Sequence, residues 1–329
     1  PGMPVLIQAV QNYYKELGVE LDSHDILITT GGSEALLLTC LSILDPYTEV
    51  IIPEPYYPNY TTFVHAAGGV IRALPTNPWE GYRYANRERI ESLITKNTRA
   101  IMITNPGNPT GVVLTRKEMR MIADIAKKHN LIVIEDDAQC FLGKYKGQNA
   151  GTIGHMSSFS FQASKHLTSG EGGMVTTNDD ELALQLRRFS GLGYGSITMK
   201  KARITKDDIQ NPAYERHVAL GWNYRMSDVV GAVALAQTER MEELCDMRKA
   251  SGKIIEEAAA GCDWLIPQYT PAECEHAYWA VAIRMVNPDI TWYDFRKKFM
   301  ELGGDGIYAA WQLSYNEPAF RNKTFLGRE

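Results

Sequence analysis

One lysine in this chain sits where its amine could become a nucleophile. Lys165 lies in SSFSFQASKHLTSGEGG, residues 157–173, between a run alternating serine with phenylalanine and a turn of small residues. Small and apolar neighbours penalise an ammonium by desolvation, and the free base that results can attack a carbonyl. A plain surface lysine is an equally good account of that residue taken alone. Upstream, VIEDDAQ at residues 133–139 ends an apolar run on Glu135, Asp136 and Asp137. A carboxylate there needs a cation, a hydrogen-bond donor or water. A metal would serve, but no nearby histidine or second acidic cluster completes a site, and the seven histidines show no ligand spacing, so no metal is expected. NPGNPTG at residues 105–111 holds two prolines and two glycines in seven positions, a stiffness that can aim an asparagine side chain. In TTGGSEAL, residues 29–36, a strand passes through two glycines into an apolar helix, whose free amides at the helix start, with a hydroxyl, suit a phosphate. A tight strand-to-helix turn explains that segment equally well in isolation.

These segments need a scaffold that delivers them to one edge. Strand and helix patterns alternate through the first two thirds of the chain, which predicts an α/β fold: a mostly parallel sheet between two helical layers. Buried strands are expected at residues 26–29, 50–53, 100–104, 131–135, 157–161 and 174–177, with the chemical segments at strand ends, where open α/β sheets bind ligands. Capping-box spacings at Thr115 with Glu118, and at Asn178 with Glu181, predict two helix starts. One long helix is expected over 227–260, with Gly252 its weak point. Beyond it the pattern turns to α+β, with a strand near 278–285 and a helix over 291–302 capped by Thr291. The expected domains are therefore 1–240, large, and 241–329, a small C-terminal domain that is incomplete.

Composition removes several classes of function. With 329 residues, 44% hydrophobic and 22% charged, the chain is globular rather than disordered. Its net charge of −5 supplies no field for a phosphate backbone, so no nucleic-acid partner is expected. The five cysteines are odd in number and widely spaced, arguing against a disulfide framework and for a reducing, cytoplasmic setting. No run approaches the roughly 20 apolar residues of a membrane span.

Taken together, the asparagine loop, strand-end aspartate and lysine, in that order, resemble the pyridoxal-phosphate enzymes of the aspartate aminotransferase fold, fold type I. Residues 1 to about 135, with GGSEAL, PEPYYPNY and NPGNPTG, resemble class I aminotransferases. From Glu135 onward IEDDAQ, YKGQNAGTIG, SFSFQASKHLTSGEGGMVTTND and LGWNYRMSD resemble the DegT/DnrJ/EryC1/StrS sugar aminotransferases. Natural divergence, recombination and engineering are all open as sources of such a mosaic. The resemblance implies that Lys165 anchors pyridoxal 5′-phosphate and moves the proton, and that Asp136 pairs with the pyridine nitrogen. It also implies that Asn108 and Gln139 lie near the phenolic oxygen and that Tyr57 covers the ring. Gly32, Ser33, Ser160 and, from a partner subunit, Asn223 would hold the phosphate. A homodimer with shared active sites follows, transferring an amino group from glutamate or glutamine to a keto-sugar nucleotide by a ping-pong route. The alternatives are a class I amino-acid aminotransferase acting on 2-oxo acids and a non-catalytic cofactor-binding regulator. Class I members carry an arginine where Gly173 stands, and sugar-dehydrating members of the second family carry histidine where Lys165 stands. Arg225, beside Asn223, is a candidate for the donor carboxylate, with a salt-bridged structural arginine the competing reading.

Overall fold

A computed structural model describes residues 2–16, 18–105, 107–198, 205–307 and 316–322. Pro106, parts of the 196–217 and 303–312 loops, and the tail from 323 lie outside the described residues. The chain divides into two units, one formed by Pro1–Gly252 with Thr270–Ala280, the other by Lys253–Tyr269 with Val281–Glu329.

In the first unit the elements follow as α1 (Pro4–Glu16), β1 (Ile26–Thr29), α2 (Gly32–Ile43), β2 (Glu49–Pro53), α3 (Asn59–Ala66), β3 (Val70–Leu74), α4 (Arg87–Leu93), β4 (Thr98–Thr104), α5 (Arg116–His129) and β5 (Ile132–Asp136). Short strands β6 (Lys144–Tyr145) and β7 (Gln148–Asn149) lead to β8 (Met156–Ser160), β9 (Gly173–Thr176), α6 (Asp180–Ser190), α7 (Lys206–Gln210), α8 (Asp228–Thr238) and α9 (Met241–Ala260), whose residues from Lys253 on are counted in the second unit. Among the described residues the central sheet has seven strands in the order β1-β9-β8-β5-β4-β2-β3. Strand β9 runs antiparallel to both neighbours, while the pairs from β8 through β3 are parallel. Strand β3 was not foreseen: its half-buried edge position, from an exposed Val70 to a buried Leu74, gives no continuous apolar run.

The strands are apolar on both faces because helices cover both. On one face Leu36, Leu38 and Cys40 of α2 pack with Val50, Ile52, Ala100 and Ile134; on the other Ile101, Ile103 and Val133 meet Met119, Ile122 and Ile125 of α5. Thr115 caps α5 with the full reciprocal box through Glu118. The second expected box is displaced by one residue: Asp179, not Asn178, caps α6 by accepting from the amides of Glu181 and Leu182. The single long helix expected over 227–260 is two helices, with Ser227 capping α8 and a break at Glu239–Arg240, whereas Gly252 lies inside α9. A Cβ at Gly252 would meet the Tyr278 ring at 2.3 Å, so the glycine serves close packing rather than a helix end.

In the second unit β10 (Leu265–Pro267) pairs antiparallel with β12 (Ile283–Met285), and α10 (Trp292–Glu301) is capped by Thr291 as expected. The strand expected from 278 shrinks to β12, because Tyr278 adopts a left-handed φ of 54°. Strand β11 (Cys274–Glu275) belongs to the first unit, pairing with β6. Among the described residues no helix is long and apolar enough to cross a membrane.

Candidate active site

The C-terminal ends of β4, β5 and β8 and the start of α2 converge on one edge of the sheet. Asp136 is the last residue of β5, opposite Thr104 of β4, and is 8% exposed. Its Oδ1 accepts from the Ala138 amide at 3.0 Å and its Oδ2 from the Tyr60 hydroxyl, which also lies 2.7 Å from Thr104 Oγ1. Burial raises the Asp136 pKa, while the Tyr60 and Ala138 donors and the Lys165 charge pull it back. The two flanking carboxylates have other tasks. Glu135 accepts from the amides of Gly151 at 3.1 Å, Ile153 at 2.8 Å and Gly154, and so secures the loop before β8. Asp137 is 1% exposed, its Oδ2 lacks a hydrogen-bond partner, and burial beside Glu135 and Asp136 pushes its pKa well up.

Lys165 follows β8 in a turn closed by its own amide on the Gln162 carbonyl at 2.9 Å. Burial lowers its pKa; Asp136 opposes that shift and the Arg248 charge adds to it. The ammonium lies 4.5 Å from the centre of the Trp279 ring. Next to it, His166 is 3% exposed with Nε2 2.8 Å from the Ala277 carbonyl, and burial lowers its pKa to about 4.

Gly32 opens α2, and a Cβ there would stand 3.0 Å from Ser160 Cβ, so the helix start and the end of β8 touch through the missing side chain. Ser33 is exposed in the first turn. Leading amides of a helix have no intrahelical partner, and Gly31, the N-cap, offers no side chain to them. The Glu34 carboxylate of that turn is engaged by Thr30, through its amide and, at 2.8 Å, its hydroxyl. Gly173 pairs with Thr29 on one side and Ser160 on the other, and a Cβ there would fall 2.5 Å from the Gly31 carbonyl carbon. The arginine of the class I pattern therefore has no room at this position.

Tyr57 packs edge-on against Tyr60, with ring centres 5.6 Å apart. Asn108 borders a crevice shared with Tyr60 and Thr104, whereas the other asparagine of its loop, Asn105, accepts from the Leu114 amide and is structural. Gln139 is half-buried in the turn after β5, three residues beyond Asp136. Asn223 is exposed, bridges Gly191, and its Oδ1 accepts from Arg225. Away from this edge, ligand atoms of Asp22, His24 and Asp25 come within 4.8 Å of one another, a grouping the histidine spacing did not signal.

The reading from sequence missed Tyr60, Arg248 and Trp279. Tyr60 was within reach, since it stands one helical turn beyond Tyr57 in PYYPNY. Trp279 is 115 residues from Ser164, whose carbonyl its indole NH reaches, and carried no local signal.

A model of the DegT/DnrJ/EryC1/StrS aminotransferase family matches residues 8–328. The chain belongs to this family. The matched range includes residue 135, the expected junction. GDP-perosamine synthase of Caulobacter vibrioides is 31% identical over 258 residues, 77% of this chain and 63% of that protein, so the family member described here spans less than two thirds of that relative's length. A probable aspartate/prephenate aminotransferase of Thermus aquaticus is 37% identical over 137 residues, 41% of this chain and 36% of that one. Among solved structures, the Escherichia coli GDP-4-keto-6-deoxy-D-mannose-3-dehydratase with bound hydrated PLP matches with a TM-score of 0.74 at 17% identity, over 99% of this chain and 82% of that one. That similarity is one of fold, and it agrees with the α/β architecture and mostly parallel sheet expected from sequence.

Proposed function

We propose that this chain is a pyridoxal-phosphate-dependent aminotransferase that moves an amino group from glutamate or glutamine to a keto-sugar nucleotide. One observation carries the reading: a buried Asp136, held by two donors, is coupled by charge to a Lys165 whose protonated form burial disfavours. The residues fit the cofactor. The leading amides of α2, to which the Gly31 N-cap offers no side chain, suit a phosphate dianion held by neutral donors and a helix terminus. Gly32, Ser33 and Ser160 would hold that phosphate, with Asn223 of the partner subunit. Tyr57 would cover the ring, and Asn108 and Gln139 would lie at its phenolic oxygen.

Bound at this edge, the cofactor supplies an electron sink for carbanion chemistry. Lys165 supplies the amine that anchors it and afterwards moves the proton at the substrate carbon, a role that needs a free base near neutral pH. Desolvation of Lys165 favours that base, and the Asp136 charge limits the effect. Asp136 would pair with the ring nitrogen and favour its protonated form, each pKa unit corresponding to about 1.4 kcal/mol. Tyr60 and Ala138 fix its two oxygens so that the carboxylate cannot rotate away.

The sugar acceptor is favoured over a 2-oxo acid by the family match and by the 31% identical GDP-perosamine synthase. A homodimer with shared sites is supported by the exposure of Asn223 within a segment whose Leu220 is 89% and Trp222 49% exposed. The cysteines, free and largely buried, agree with a cytoplasmic setting.

Borohydride reduction of the protein purified with cofactor, followed by peptide mapping, tests the anchor. The pyridoxyl label is expected on Lys165; a label elsewhere refutes the assignment. Incubation with amino donors and nucleotide-linked keto-sugars then tests the acceptor, and turnover confined to aspartate or aromatic amino acids with 2-oxo acids would establish the class I alternative.

A further inference from the structure

Arg248, on α9, donates to three backbone carbonyls. Its Nη2 reaches Ser164 O at 3.0 Å and Lys165 O at 2.8 Å, and its Nη1 reaches Trp279 O at 3.3 Å. Trp279 adds a fourth link, its indole NH donating to Ser164 O at 3.1 Å, and a fifth from His166 Nε2 ties the same turn to Ala277 O. The turn that carries the lysine and the 277–279 segment are thus stitched together around one guanidinium. The ring set beneath this stitching faces the Lys165 ammonium at 4.5 Å, within the range of a cation–π contact, which is strongest for indole.

We propose that Trp279, fixed by Arg248, is a positioning residue that keeps the Lys165 side chain over its indole face whenever the amine is not covalently engaged. The inference rests on Lys165 being the cofactor lysine. An amine that must leave its bond, wait and return to move a proton loses rate if its four-carbon stem wanders among rotamers, and long stems pay up to about 2 kcal/mol to be ordered. A flat π surface holds the ammonium without the tight pairing that a carboxylate would impose, so the amine can still shed its proton. The charged and titratable groups around it are Asp136, which favours the ammonium, and Arg248, which disfavours it, with His166 adjacent in the chain.

The test places the amine directly. Reductive methylation of the cofactor-free protein with ¹³C-formaldehyde converts lysines to dimethyl forms that keep their charge, and the Lys165 resonance is assigned by its loss in Lys165→Arg. Ring current should put that resonance upfield of the other dimethyl-lysines, a shift retained in Trp279→Phe and lost in Trp279→Leu while the remaining resonances stay in place. A Lys165 resonance inside the common envelope in the wild-type protein, or an upfield shift that survives Trp279→Leu, overturns the proposal. Because this readout needs no turnover, it stands apart from the aminotransferase reading, which the borohydride label tests. In the loaded enzyme Trp279→Leu should lower kcat for the donor half-reaction by about threefold to thirtyfold with KM unchanged, and Trp279→Phe should recover most of it. A change in KM alone would make Trp279 a substrate contact and refute the positioning role.

Discussion

At the scale of single residues, burial decides what each titratable group can do. Asp136 and Asp137 are neighbours in sequence, yet the first has two donors and a nearby cation while the second has an unpartnered oxygen, so only Asp136 is equipped to hold a charge. His166 shows the same principle in a base. Its pKa falls to about 4 in the folded protein because burial disfavours the imidazolium, against about 6.5 in an unfolded chain. Between those values the unfolded state binds the extra proton, so stability is intact above pH 6.5 and is lost as pH falls towards 4. The shift is worth about 3 kcal/mol. Denaturant unfolding measured from pH 7 to pH 4 should show that loss, and a His166→Gln variant should show a flatter profile over the same window.

At the scale of elements, the phosphate end of the site depends on a close approach of three backbones. Gly173 of β9 lies between β1 and β8, and its missing Cβ is what lets the Gly31–Gly32 turn lie against the strand. In Gly173→Ala the new methyl would stand 2.5 Å from Gly31 C and 2.6 Å from Gly32 N, both backbone atoms that no rotamer can move. Overpacking of this kind costs about 1–3 kcal/mol. The variant should unfold at lower denaturant and release pyridoxal phosphate faster on dialysis than an Asp179→Ala control, which loses the α6 cap beyond the end of β9 opposite Gly173. Equal cofactor retention in the two variants would separate the turn from phosphate binding. Sequence made most of this layer readable: buried strands declare themselves by apolar runs and α5 by its capping box, whereas edge strand β3 and the break between α8 and α9 carry no such signal.

At the scale of the whole molecule, the proposed dimer makes a prediction that no single chain could satisfy. If each site draws Lys165 from one subunit and the phosphate-binding Asn223 from the other, Lys165→Ala and Asn223→Ala homodimers should each be inactive or nearly so. Mixing them under conditions that exchange subunits should recover activity, because one of the two sites in each heterodimer is then intact, approaching a quarter of the wild-type level for random exchange. Mixed samples that stay at the level of the separate variants would place Asn223 outside a shared site. Sequence by itself determined the chemistry available here: a lysine among small residues, an aspartate ending an apolar strand, and glycines where a helix begins, all set by local composition and spacing. Only the tertiary structure decided which groups meet. Tyr60 reaches Asp136 across 76 residues and Trp279 reaches Ser164 across 115, and contacts of that kind arise from strand order and packing, which leave no local trace in the chain.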